Sequence, residues 1–96
     1  MSQVFYQRVA KADLIDVCHF VAEDNVAAAD AYIDRLQQVF VLIAENPLMG
    51  SDRTDIVEGV SSFAVDDYVI YYELRDKGIT VLRVWHAARD PANLRL

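Results

Sequence analysis

The spacing of apolar residues changes once along the chain, at Gly50, and that change limits the fold more than any single motif. Before it, apolar residues recur every three or four positions. Ala10, Leu14, Val17 and Val21 make one stripe, and Tyr32, Leu36, Val39, Phe40 and Ile43 make a second. This spacing puts each set on one face of a helix. Between the stripes, "EDN" at Glu23 to Asn25 breaks the pattern, and Asp24 or Asn25 can cap the second helix by accepting a backbone N–H. "NPLMG" ends that helix, because the residue before Pro47 is pushed out of helical geometry. The short break predicts an antiparallel helix pair. After Gly50 the period is two. Phe63 and Val65 open a strand, Tyr68 to Leu74 form another, and Ile79 to Trp85 a third. "QVFYQRV" near the start adds a fourth short strand, and "GSDRTDIVEGV" reads as an irregular loop. The expectation is one α+β domain over residues 1–96. Its helical hairpin packs on a small, mainly antiparallel four-stranded sheet, in the order β-α-α-β-β-β.

The turns set which strand residues share a face. "DKG" at Asp76 to Gly78 fits a three-residue hairpin loop, and Asp66 with Asp67 a tighter turn. On that register Phe63, Val65, Tyr68, Ile70, Tyr72, Leu74, Leu82 and Val84 cover the helices. The opposite face holds Val69, Tyr71, Glu73, Val81, Arg83 and Trp85. It is too apolar to stand open to water, so either a partner covers it or the chain's own ends do. Arg83 is conspicuous there, because an unpaired buried charge is heavily penalised. A partner bringing apolar anchors and a carboxylate would suit it.

Composition narrows the function. The chain is 54% apolar and 25% charged, with a net charge of −6, which fits a folded domain rather than a disordered one. Residues 1–48 carry three basic and seven acidic side chains, and residues 49–96 carry six and eight. Neither half is basic, which disfavours tight direct binding to nucleic acid. No apolar run approaches the ~20 residues of a membrane span, and no secretory leader is visible. Cys18, the one cysteine, has no partner motif and sits on a helical apolar face, which suits a reducing cytoplasm. His19 and His86 lack neighbours at metal-ligand spacing. There is no glycine-rich phosphate loop, no nucleophile elbow and no Cys-x-x-Cys, so neither cofactor nor metal is expected.

The ending "LRVWHAARD", Leu82 to Asp90, carries the remaining chemistry. His86 can act as acid or base, with Arg83 and Arg89 as cations. Equally, His86 can cap the strand end while Arg89 and Asp90 pair, or this stretch can meet a partner protein.

Four motifs in this order resemble the ParE/RelE superfamily of bacterial toxins, nearer its ParE branch. "AKADL" (Ala10 to Leu14) is similar to the family's first helix. "NPLMGSDR" matches its Asn-Pro-x-x-Gly-x-x-Arg loop at Pro47, Gly50 and Arg53. "YVIYYEL" is similar to its Tyr-x-Ile-x-Tyr strand at Tyr68, Ile70 and Tyr72. "LRVWHAARD" is close to its Leu-Arg-Val-x-His-x-x-Arg-Asp ending at Arg83, His86, Arg89 and Asp90. The resemblance implies a plasmid-stabilisation type toxin of a type II toxin–antitoxin system, with a cognate antitoxin as partner. ParE-type members inhibit DNA gyrase, and RelE-type members cleave messenger RNA on the ribosome. The ribonucleases are usually strongly basic, and "PANLRL" lacks their terminal tyrosine or lysine–histidine group. The resemblance therefore implies a protein-binding toxin with no catalytic residue. Val69, Tyr71, Val81, Arg83, Trp85, His86 and Arg89 are its expected contacts to antitoxin or target. One position departs from the family. Its Gly-x-Arg-Ser-Phe segment is "GVSSF" here, so Ser61 stands where an arginine is common. A diverged, non-toxic interaction module is the other reading of the same fold.

Overall fold

Each part of the chain builds the elements its period demands. The computed structural model describes residues 2–96. Strand β1 (Gln3–Tyr6) leads into helices α1 (Arg8–Ala22) and α2 (Val26–Glu45) and a 3₁₀ turn (Pro47–Met49). Strands β2 (Ser51–Asp52), β3 (Val60–Val65), β4 (Tyr68–Arg75) and β5 (Gly78–His86) follow, and a second 3₁₀ turn, Pro91–Asn93, lies in the tail. Asn25 caps α2, its side chain accepting from the Ala28 N–H at 3.1 Å. α2 stops at Glu45, just ahead of Asn46 and Pro47, where a helical residue before proline would clash.

The sheet has five strands rather than four, in the order β1-β5-β4-β3-β2. β1 lies parallel to β5, and the other pairings are antiparallel. The additional strand comes from the segment expected to be loop: Ser51 and Asp52 pair with Ser62 and Ser61. It is short because Asp52 turns its carboxylate onto the Thr54 N–H at 2.9 Å, an Asx turn that leaves the ladder.

The helix pair covers one face of the sheet. Leu36, Phe40 and Ile43 from α2, with Ala10 and Val17 from α1, pack on Ile70, Tyr72, Ile79, Val81 and Val84. Burying a leucine, isoleucine or phenylalanine fully contributes about 1.5–3 kcal/mol, so this cluster dominates the stability. Tyr72 adds a polar clamp. Its hydroxyl donates to the Pro47 carbonyl at 2.8 Å and accepts from the Gly50 N–H at 3.2 Å. A Cβ at residue 50 would collide with that hydroxyl, so this turn requires glycine. Burial pushes the Tyr72 phenol above its ordinary pKa.

The β4–β5 hairpin corrects the expected register. Arg75 pairs with Gly78, so the loop has two residues, Asp76 and Lys77. Gly78 lies inside β5 with φ of 152°, and any side chain there would meet the Gln3 backbone of β1. The residue expected in the loop is taken up further along, in a bulge between Tyr71 and Tyr72. Tyr72 pairs with Val81 and Tyr71 with Arg83, leaving Leu82 unpaired between them. Val81 therefore faces the helices and is fully buried there, while Leu82 joins the opposite face. Beyond the bulge, Tyr71 with Arg83 and Val69 with Trp85 pair as the longer loop had implied.

Candidate functional site

β1 ends against Val81, but β5 continues to His86, so among the described residues the last part of its edge has no strand beside it. Unpaired edge groups need other partners. α1 supplies one: Asp13 Oδ2 accepts from the Val84 N–H at 3.0 Å. The same carboxylate takes the Arg83 guanidinium in two bonds, Nε to Oδ2 at 2.8 Å and Nη2 to Oδ1 at 3.0 Å. Both groups are nearly out of water, Asp13 at 6% and Arg83 at 8% exposure. A third nitrogen, Nη1, donates to the Arg95 carbonyl at 3.1 Å. The arginine expected to await a partner's carboxylate is therefore paired within the chain, to Asp13 of α1.

The tail packs on part of the face away from the helices. Val60, Tyr71, Leu82 and Trp85 form a second buried cluster, with Val69 and Leu94 packed against it. The Arg83 and Arg89 guanidinia lie over the Trp85 ring at 5.0 and 4.0 Å from its centre. Trp85 is only 2% exposed. Asp90 starts the tail's 3₁₀ turn by accepting from the Ala92 N–H at 2.9 Å, and among the described residues it makes no ion pair with Arg89. His86 caps the strand end: Nδ1 accepts from the Ala88 N–H at 3.0 Å.

Of the seven expected contact residues, Val69, Tyr71, Arg83 and Trp85 meet on the face that carries the tail, and Val81 lies on the other side of the sheet. His86 and Arg89 reach instead into a cleft of about 380 Å³ beside the free edge of β5. Asp13, Asp16, Val17 and Phe20 of α1 form one wall, and Tyr68, Val84, His86 and Arg89 the other. The His86 ring meets Phe20 and Tyr68 edge-on, at 5.9 and 5.0 Å between centres. Burial, with the nearby Asp67 charge, raises the Tyr68 pKa. Sequence reasoning missed Asp13, Asp16, Phe20 and Leu94. Asp13 did leave a signal, since it falls three residues after Ala10 and four before Val17, inside the apolar stripe. Ser61 pairs with Tyr72 on the half-buried helix side of β3. His19 is exposed on α1, and Cys18 is half-buried between the helices with Leu14 and Ile33. Among the described residues no His, Cys, Asp and Glu cluster is arranged to hold a metal ion. No helix among them is long and apolar enough to cross a membrane.

A two-helix layer on a mixed five-stranded sheet, with the first strand parallel to the last, is an architecture already solved. The chain aligns with the chromosomal ParDE TA system from P. aeruginosa at a TM-score of 0.73 and 20% identity, covering 90% of this chain and 96% of that one. Toxin ParE3 of Caulobacter vibrioides is 32% identical over 85 residues, which is 88% of this chain and 85% of the relative. Residues 4–91 match the family described as ParE toxin of type II toxin-antitoxin system, parDE. The chain belongs to that family, and it is a ParE-type toxin of a type II toxin–antitoxin system.

Proposed function

We propose that this toxin acts in the cytoplasm by binding and inhibiting DNA gyrase rather than by cutting RNA, and that a cognate antitoxin neutralises it. The observation that carries the choice is the Asp13–Arg83 pair. Attack by a 2′-OH builds negative charge on phosphorus that free cations must meet. Arg83, the strand arginine a nuclease would use, already holds a carboxylate and a carbonyl. A net charge of −6 also opposes tight contact with phosphates. Gyrase is the target of the ParE branch, and the Pseudomonas relative is described as part of a toxin–antitoxin system.

Of the expected contacts, His86 and Arg89 are the ones open to a protein partner. Tyr71, Arg83 and Trp85 support them from beneath the tail, and Val69 lies at that cluster's margin. The test is gyrase supercoiling with and without the protein, beside mapping of messenger ends on translating ribosomes. Inhibited supercoiling with intact messages is expected. Codon-phased cleavage that disappears in His86→Ala would replace this reading with a ribonuclease. Absent inhibition that Ser61→Arg fails to restore would leave a non-toxic interaction module.

A further inference from the structure

The cleft beside β5 has a floor of core residues and a rim of groups that remain exposed. Val17, Phe20, Tyr68 and Val84 make its lining apolar, and Phe20 remains 58% exposed. Arg89 borders the same space. Among the described residues no carboxylate forms an ion pair with it. Its guanidinium is nonetheless held in place, 4.0 Å from the centre of the Trp85 ring. Stacking on an indole leaves the in-plane N–H groups free to donate and reduces the side-chain freedom lost on binding. The neighbouring His86 has Nδ1 accepting from the Ala88 N–H, which leaves Nε2–H as its donor. On the facing wall Asp13 is occupied by Arg83 and Val84, while Asp16 makes no ion pair among the described residues.

We propose that this cleft recognises a bipolar peptide motif of a protein partner: a large apolar side chain seated between Phe20 and Val84, with an adjacent carboxylate on Arg89 and His86. The proposal rests on the reading that the toxin is held by proteins, and it names the chemistry the partner brings. The volume is at the small end of ligand clefts, about 300–1,000 Å³, which suits a side chain and its neighbour. Charge complementarity fixes the direction. Arg89 repels a basic residue at the β5 end, and Asp16 favours one at the α1 end. An apolar side chain filling the cleft also removes water from around the guanidinium, and charge-assisted hydrogen bonds there are the strong kind.

The test uses the whole protein and a phage-displayed library of random dodecapeptides. Enriched peptides are expected to share a large apolar residue next to Asp or Glu. The tightest of them, followed by fluorescence anisotropy, should lose at least about tenfold in affinity, roughly 1.4 kcal/mol, against Arg89→Glu. Changing its acid to Lys should restore binding to that variant, and Phe20→Ser should weaken the original peptide. Phe20 is exposed, so Phe20→Ser should melt like the parent; Arg89 also packs over Trp85, so Arg89→Glu is judged by its rescue with the Lys peptide, which a merely structural loss would not give. An empty selection, enriched peptides without an acid, or equal affinity for Arg89→Glu would overturn the proposal. Supercoiling is scored separately on the unmodified protein, so failure of the gyrase reading and failure of the peptide reading are told apart.

Discussion

The two faces of the sheet are both buried, but by different means. On one, two helices of 15 and 20 residues bring stripes of apolar side chains onto the strands. On the other, a short tail supplies Leu94 and the Arg95 carbonyl, and two arginines spread over Trp85. The first face is held by buried area, which is forgiving of direction. The second is held by a few directional bonds, and those depend on a carboxylate contributed by a helix of the first. Asp13 is the point where the faces meet.

Removing that point should have the largest effect. In Asp13→Ala the Arg83 guanidinium stays buried without its partner, and breaking such a pair costs about 3–5 kcal/mol. Urea unfolding should record a loss of that size, and Arg83→Ala should record a similar one. A loss below about 1 kcal/mol would assign the pair to the surface class, where pairs contribute little.

Alkaline pH should strain the helix side. Burial raises the phenol pKa of Tyr6, Tyr32, Tyr68 and Tyr72, and all four pack in the helix-side cluster. A raised folded-state value means the folded protein holds the proton more tightly than the unfolded chain. That contribution is complete below the unfolded value of about 10 and is lost as pH rises through the folded values. The melting temperature should therefore fall above about pH 10 while phenolate absorbance rises with it. Phenolates that form fully without any loss of melting temperature would contradict this.

A smaller effect is expected at the clamp. Tyr72→Phe leaves the Gly50 N–H and Pro47 carbonyl without their shared hydroxyl, at a cost of about 1–3 kcal/mol. Amide exchange should quicken at residues 46–50 and stay unchanged in the tail. Leu94→Ser should cost least, about 1 kcal/mol or less, since the side chain is only half-buried. Its signature is optical. Trp85 is the one tryptophan, so its emission should move to longer wavelength while the melting temperature barely changes. An unchanged emission would mean that the tail does not keep the indole dry.

The helix stripes were legible in the sequence because they need only local spacing. Every member of both expected stripes lies in or against the helix-side cluster. The hairpin was half legible. Asp66 and Asp67 form the tight turn as expected, with Asp66 at φ of 53°. The other turn misled, because "DKG" is compatible with a loop of two residues or three. Only the contact of Gly78 with β1 decides between them. The resulting bulge exchanged Val81 and Leu82 between faces, and no residue type in "TVLRV" marks that. The parallel placement of β1 beside β5 and the pairing of Asp13 with Arg83 are long-range facts, visible only once helix and strand lie side by side. The cleft escaped notice for the same reason: its walls come from two distant segments, and each alone reads as ordinary surface.

The partnership of the first strand with the last also sets a schedule. Gln3 pairs with Gly78 and Tyr6 with Val81, and the Asp13–Arg83 contact spans 70 residues. During synthesis at about 5–20 residues per second, β1 waits roughly 4–15 s for its neighbour to be made. The helical hairpin can form in that interval, but the sheet it covers cannot be completed. The cleft walled by α1 and β5 therefore comes into being only after β5 has been translated, as one of the last features of the molecule to form.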